Sequence, residues 1–280
     1  LFAGGDFTEF GQFKRNGAVI DLTTGSLSNE LGDFDWVVNV SIPDGNGGWY
    51  VGGEFSYVNG QIRKGVAHIL SDGTLSTWNV SVNNTVHSLL LSNDTLFIGG
   101  EFTNLGGDAR NNIGAVDTTN GSAYSWNPNA NDKVLSMTKV GGVLYLGGEF
   151  TSIGGQTRNR LAAINSQGQV KSWNPNANGP INCIESYGTS IYVGGVYNQI
   201  GTLSRGSLAA IDTGGVISTW NPNCTGSIYS LRISGSKVFV GGQFYSIGGQ
   251  NRNNLAQVSR ATGAVNSGWN PNPGGVINAI

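Results

Sequence analysis

Apolar residues in this chain come in short runs separated by turns rich in glycine, asparagine and serine. Residues 144–188 show the pattern. Leu-Tyr-Leu-Gly-Gly-Glu-Phe reads as one strand, and Thr-Ser-Ile-Gly-Gly-Gln-Thr-Arg-Asn as a loop. Arg-Leu-Ala-Ala-Ile-Asn reads as a second strand and Ser-Gln-Gly-Gln as a turn. Val-Lys-Ser-Trp-Asn-Pro-Asn is a third strand stopped by proline, and Ile-Asn-Cys-Ile-Glu-Ser is the fourth. No stretch carries a 3.6-residue apolar period long enough for a helix. Strand-sized runs with turn signals between them predict an all-β fold.

The pattern repeats. A Gly-Gly pair falls at Gly4–Gly5, Gly52–Gly53, Gly99–Gly100, Gly147–Gly148, Gly194–Gly195 and Gly241–Gly242, in steps of 48, 47, 48, 47 and 47 residues. Two places later stands an aromatic ring: Phe7, Phe55, Phe102, Phe150, Tyr197 and Phe244. Eight residues beyond each ring comes an arginine: Arg15, Arg63, Arg110, Arg158, Arg205 and Arg252. Trp-Asn-Pro-Asn closes four copies, from Trp126, Trp173, Trp220 and Trp269, with a degraded version at Trp78. Four strands per repeat at this period predict β-propeller blades. The chain starts in the second strand of a repeat and stops after the first. The expected fold is therefore a six-bladed β-propeller of four-stranded antiparallel blades, a single domain over residues 1–280. A C-terminal strand, Ile277–Ile280, would lie beside Leu1–Phe7, so that residues 1–34 and 276–280 share a blade and leave no open edge.

The phrase Gly-Gly-x-Phe followed by Arg-Asn-x-Leu-Ala and Trp-Asn-Pro-Asn resembles the bacterial β-propeller repeats called delta-60 repeats. More distantly it is similar to the propeller region of fungal cortical cell-polarity markers. The resemblance spans the chain and implies a propeller carried within large exported or surface-anchored proteins. It implies no reaction and carries over no catalytic residue.

The repeated residues have two readings. As scaffold, the arginines would pair with the acids that end the preceding strand (Glu54, Glu101 and Glu149, with Asp6 in the first copy), since a guanidinium fork matches a carboxylate. Bonds to loop carbonyls are a further use for them. As a site, they would line equivalent ligand pockets. Presence in every copy favours scaffold, so ligand-binding candidates are sought where the repeat breaks. Ser-Asn-Glu-Leu-Gly-Asp-Phe-Asp-Trp replaces the tryptophan phrase of the first copy, which singles out Asp33, Phe34, Asp35 and Trp36. Aromatics beside acids suit sugar or peptide recognition, while Phe34 and Trp36 could instead refill the core. The fifth copy departs at Val196 and Tyr197, adding Tyr197 and Asn198 to the candidates.

Composition narrows the function. Charged residues are only 11% of the chain, glycine numbers 45 and the formal net charge is −2. No basic stripe points to nucleic acid, and no apolar run is long enough for a transmembrane helix. His68 and His87 sit in different strands, away from any His/Cys cluster with zinc spacing. Neither a metal, a cofactor nor a nucleophile motif is expected. The close pair Asp33 and Asp35 leaves open a glycan-cleaving alternative. Cys183 stands where other copies have Ser88, Ser136, Ser230 and Ala279, and Cys224 where they have Ala130 and Ala177, so the two thiols are expected to be unbonded. The expectation is a non-catalytic propeller, secreted or on the cell surface. It would be part of a larger polypeptide and bind a glycan or protein for adhesion, with neither nucleic-acid binding nor membrane insertion. A purely structural spacer is the other alternative.

Overall fold

The computed structural model describes residues 2–4, 16–20, 24 and 33–280. Every regular element in them is a β-strand. The chain forms two compact units, Leu1–Val134 and Leu135–Ile280. In the first, Val38–Pro43, Trp49–Gly53 and Val66–Ile69 make an antiparallel sheet in that order. Val86–Ser92, Thr95–Gly100 and Ile113–Asp117 make the next. Phe2–Gly4 pairs with Gly17–Val19. In the second unit the corresponding sheets centre on Val143–Gly148, Ser190–Gly195 and Lys237–Ile247.

The glycine pair is explained by close approach. A Cβ on Gly194 would lie 2.6 Å from the Ile228 side chain, and one on Gly195 would lie 2.1 Å from the Pro180 carbonyl oxygen. The first glycine thus seats a β-branched residue from the inner strand of the next repeat. The second makes room for the carbonyl of its own inner strand, whose register shifts there between Ile181 and Cys183. Gly52–Gly53, Gly99–Gly100 and Gly241–Gly242 meet the same neighbours, in the order Val86, Val134 and Ile277 for the first glycine of each pair.

Two expectations about the strands are corrected. The segment after the glycine pair is not a plain loop: Ser152–Ile153 pairs with Gln156–Thr157 in a miniature hairpin. Its turn residues Gly154 and Gly155 have φ of 57° and 71°, the left-handed angles a two-residue hairpin turn requires. The third strand, read at Val-Lys-Ser-Trp, by contrast shrinks to a single bridge, as in Ile164↔Val170, Ile211↔Ile217 and Val258↔Val265. Lys171 N–H still donates to the Ala163 carbonyl, but the Lys171 carbonyl is taken by Arg158 at 2.7 Å. Beyond it Pro175 has no N–H to continue a ladder.

Tryptophan ties consecutive repeats together. The Trp173 ring meets Tyr145 of its own repeat edge-on at 5.0 Å, and its indole N–H donates to the Asp212 carbonyl of the next at 2.9 Å. Trp78 and Trp220 do the same with Tyr50 and Asp117, and with Tyr192 and Ser259.

At the C-terminus, Ile277 N–H donates to the Gly242 carbonyl at 3.1 Å. Residues 276–280 form no regular strand, and Leu1 and Gly5–Phe7 lie outside the described residues, as does Arg15.

Candidate functional site

The described arginines bond carbonyls within their own repeats, and their partners are not the acids expected. Arg63, Arg110, Arg158 and Arg205 each donate from one terminal nitrogen to the preceding residue's carbonyl. From the other they donate to the carbonyl of Ser76, Tyr124, Lys171 and Ser218 respectively. Arg252 spans the same gap to Asn266 and Ser267. Arg63 and Arg252 are buried and the other three half-buried. Each clamps its hairpin to the bridge segment of its own repeat. Glu54 and Glu101 bond elsewhere, and Glu149 makes no arginine pair among the described residues. Strand ends close in sequence do not fix which way two side chains turn, and here acid and arginine serve different neighbours.

The segment Asp33–Trp36 turns out to be in register with the other repeats. Phe34 bridges Val58 as Val82 bridges Leu105 and Ala177 bridges Ile200. It is fully buried and meets Phe55 edge-on at 4.8 Å. Asp35 Oδ1 accepts the Ser56 and Tyr57 N–H groups at 2.8 and 2.9 Å. Asn83 Oδ1 does the same for Thr103 and Asn104, and Asn178 Oδ1 for Asn198 and Gln199. The Asp33 carbonyl accepts from Asn59 N–H. Phe34 is thus core, and Asp35 has one carboxylate oxygen committed to capping the hairpin.

Trp36 differs. It is 59% exposed, and its indole N–H donates to Glu54 Oε2 at 3.2 Å. In the other copies this place belongs to Asn84, Asp132, Gly179, Gly226 and Gly275. Trp36, Asp35, Glu54, Lys64, Asn84 and Asn104 are among the residues lining an open cleft of about 680 Å³. Sequence reasoning missed Lys64, although other copies have asparagine or glycine after the repeated arginine.

The second sequence candidate is also corrected in part. Tyr197 is buried, its hydroxyl donates to the Val193 carbonyl at 3.1 Å, and burial pushes its phenol well above the usual range. It fills the place of Phe55, Phe102, Phe150 and Phe244 in the core. Asn198 is exposed, and its Oδ1 accepts from Asn178 Nδ2 at 2.6 Å. This stretch and Asp33–Trp36 belong to different units.

The remaining polar chemistry is structural in form. His68 Nε2 lies 2.9 Å from Asp44 Oδ2 and its ring stacks on Tyr50 at 4.3 Å. Burial works to raise the Asp44 pKa, but bonds from His68, Asn46 and Gly48 outweigh it and hold the carboxyl below its ordinary value. Glu101 Oε1 accepts from Lys133 at 2.9 Å and lies 2.8 Å from His87 Nε2. Cys183 and Cys224 are buried and unbonded, and burial raises both thiols, Cys224 to about 12. Among the described residues no cluster of three or more His, Cys, Asp or Glu could hold a metal ion, and no helix is long and apolar enough to cross a membrane.

These features define a class of protein. In fold the chain is similar to the WD40 domain of Neurospora crassa Pan2, with 10% identity and a TM-score of 0.57 over 82% of this chain and 64% of that one. It is similar to the WD40 beta propeller domain of Doa1, with 14% identity and a TM-score of 0.60 over 86% and 72% of the two chains. It also matches the extracellular domain of a one-component system from B. thetaiotaomicron, with 15% identity and a TM-score of 0.56, covering 88% of this chain and 30% of that one. No curated protein matches the sequence. The chain is an all-β protein of the β-propeller class. Three of its segments, residues 45–76, 142–170 and 236–260, match the family described as domain of unknown function (DUF5122) beta-propeller.

Proposed function

We propose that the chain is a non-catalytic propeller, outside the cell or on its surface, that presents loops for adhesion or ligand recognition as part of a larger polypeptide. In this reading residues 1–280 form six four-stranded antiparallel blades. The bridge segment serves as each outer strand, and residues 276–280 complete the blade begun at residue 1. Six glycine pairs at an even spacing support the count. Support for closure comes from Ile277, which seats on Gly241 as Ile228 seats on Gly194.

The observation that carries the functional reading is Trp36. An indole 59% exposed, bonded to Glu54 in a cleft bordered by Asp35, Lys64 and carboxamides, combines a stacking face with hydrogen-bonding groups. That combination suits a glycan better than an apolar partner. Cleavage is disfavoured because Asp35, half of the one unrepeated carboxylate pair, is held by two backbone N–H groups. An extracellular domain among the structural neighbours supports the location.

Screening the domain against an array of cell-surface glycans tests the reading. The expected result is retention of a glycan that is recovered uncleaved. Release of shortened products, or no binding to any glycan or surface protein, overturns it.

A further inference from the structure

Arg160 is the one charged residue at a place in the repeat that Gly17, Gly65, Asn112, Ser207 and Asn254 hold in the other copies. It precedes the strand Leu161–Ile164 with φ of 66°, a left-handed angle that arginine adopts rarely. Asn112, Ser207 and Asn254 hold the matching place at 62°, 61° and 61°. There the side chain closes the loop: Asn112 donates to the Ala130 carbonyl at 2.8 Å, Asn254 to Pro273 at 3.2 Å and Ser207 to Gly226 at 2.5 Å. Asparagine tolerates the angle and gains the bond. Arg160 has the same backbone and no such bond.

Nor does its guanidinium find another partner. Every other arginine among the described residues bonds a carbonyl or lies near a carboxylate. Arg160 lines a cleft of about 330 Å³ with Asn159, Asn176, Asn178 and Gln199, and no carboxylate contributes to its wall. Asn159 Nδ2 donates to Asn176 Oδ1 at 2.7 Å, which leaves the Asn176 amide hydrogens unspent. Gln199 Nε2 is used on the Gly201 carbonyl, which leaves its Oε1 as an acceptor.

We infer that this cleft binds an acidic sugar, with Arg160 taking the carboxylate of a hexuronate and the carboxamides of Asn176 and Gln199 taking its ring hydroxyls. A planar guanidinium pairs with a carboxylate through two parallel bonds. A wall of carboxamides matches neighbouring hydroxyls, which both donate and accept. The one small apolar side chain, Ala177, offers no pocket for the side chains flanking an acidic residue in a peptide. This site is built from Arg160 and stands apart from the Trp36 cleft.

Calorimetric titration with trigalacturonic acid, its methyl ester, inorganic phosphate and triaspartate tests it on the parent, Arg160→Asn and Trp36→Asn. The acid should bind the parent at least tenfold more tightly than the ester, as loss of a charge-assisted bond implies. Arg160→Asn should erase that preference without lowering the melting temperature, because asparagine is the residue found at 112 and 254. Trp36→Asn should leave the preference intact even if the Trp36 reading fails. Equal binding of acid and ester, an unchanged Arg160→Asn variant, or a melting temperature below the parent's overturns the inference. Competition by phosphate or triaspartate as strong as the sugar's overturns the sugar assignment.

Discussion

Phe34 and Ala177 occupy one position in two repeats that share almost no sequence there. Each bridges the first strand of a hairpin, at Val58 and Ile200. The next residues, Asp35 and Asn178, each accept two hairpin N–H groups on one side-chain oxygen. Only the residue after that changes the chemistry, from Gly179 to an exposed Trp36. The lesson is that a change of residue type is not a change of role. An acid or an amide supplies the same acceptor, and a larger apolar residue sinks into the same core. The breaks proposed to matter for function are those that leave a side chain exposed beside a cleft, as at Trp36, or without a side-chain partner, as at Arg160.

The strongest way to break the comparison is to remove the core rings. Phe34→Ala should destabilise by ~3–5 kcal/mol, as for other buried phenylalanines, although alanine is the native residue at 130 and 177. Tyr197→Ala should cost a similar amount, so both should shift the urea midpoint. A shift within ~1 kcal/mol for Phe34→Ala would show that the first repeat packs differently from the fourth.

Arg158→Ala tests the clamp between hairpin and bridge segment. Losing its bonds to Thr157, Lys171 and Gln156 should cost ~1–3 kcal/mol. If thermal unfolding is unchanged, the repeated arginine is not a structural element and the division between scaffold and site collapses.

A finer probe is the hairpin cap. Asp35→Asn should be close to neutral, since Asn83 and Asn178 do the same job, whereas Asp35→Ala should cost ~1 kcal/mol, as at other capped N–H groups. Equal effects for the two would sink the equivalence.

The smallest effect concerns Glu101. Burial tends to raise its pKa, but Lys133 and His87 outweigh burial and hold the carboxyl below its ordinary value of 4.5. A depressed folded pKa gives stability that is full above the unfolded value and lost as pH falls through the folded one. Lys133→Met should therefore reduce stability slightly at neutral pH and flatten its decline on acidification below about 4.5. Parallel acid-unfolding curves for parent and variant would count against the network.

Much of the fold was legible because the repeat fixes offsets that chance does not produce. The inner strands and the aromatic core follow from residues recurring together. The hairpin was hidden because its strands are two residues long and its Gly-Gly turn looks like any loop. The third strand was overread because Val-Lys-Ser-Trp looks apolar enough, while Arg158 and Pro175 remove the bonds a ladder needs. Of the site, Trp36 was visible as an oddity, but the core role of Phe34 required the strand register. Arg160 was invisible in Thr-Arg-Asn-Arg, because only alignment with Asn112 and Asn254 reveals that the second arginine is the odd one.

The central claim is that residues found in every repeat build the molecule and those that depart from it into an open cleft bind. Trp36→Asn tests it most directly, since asparagine is the native residue at 84. The affinity of the variant for a glycan retained by the parent is measured beside its melting temperature. The account predicts binding weakened by tenfold or more, as for loss of a stacking aromatic, with the melting temperature unchanged. Undiminished binding, or a protein that melts early, would contradict it.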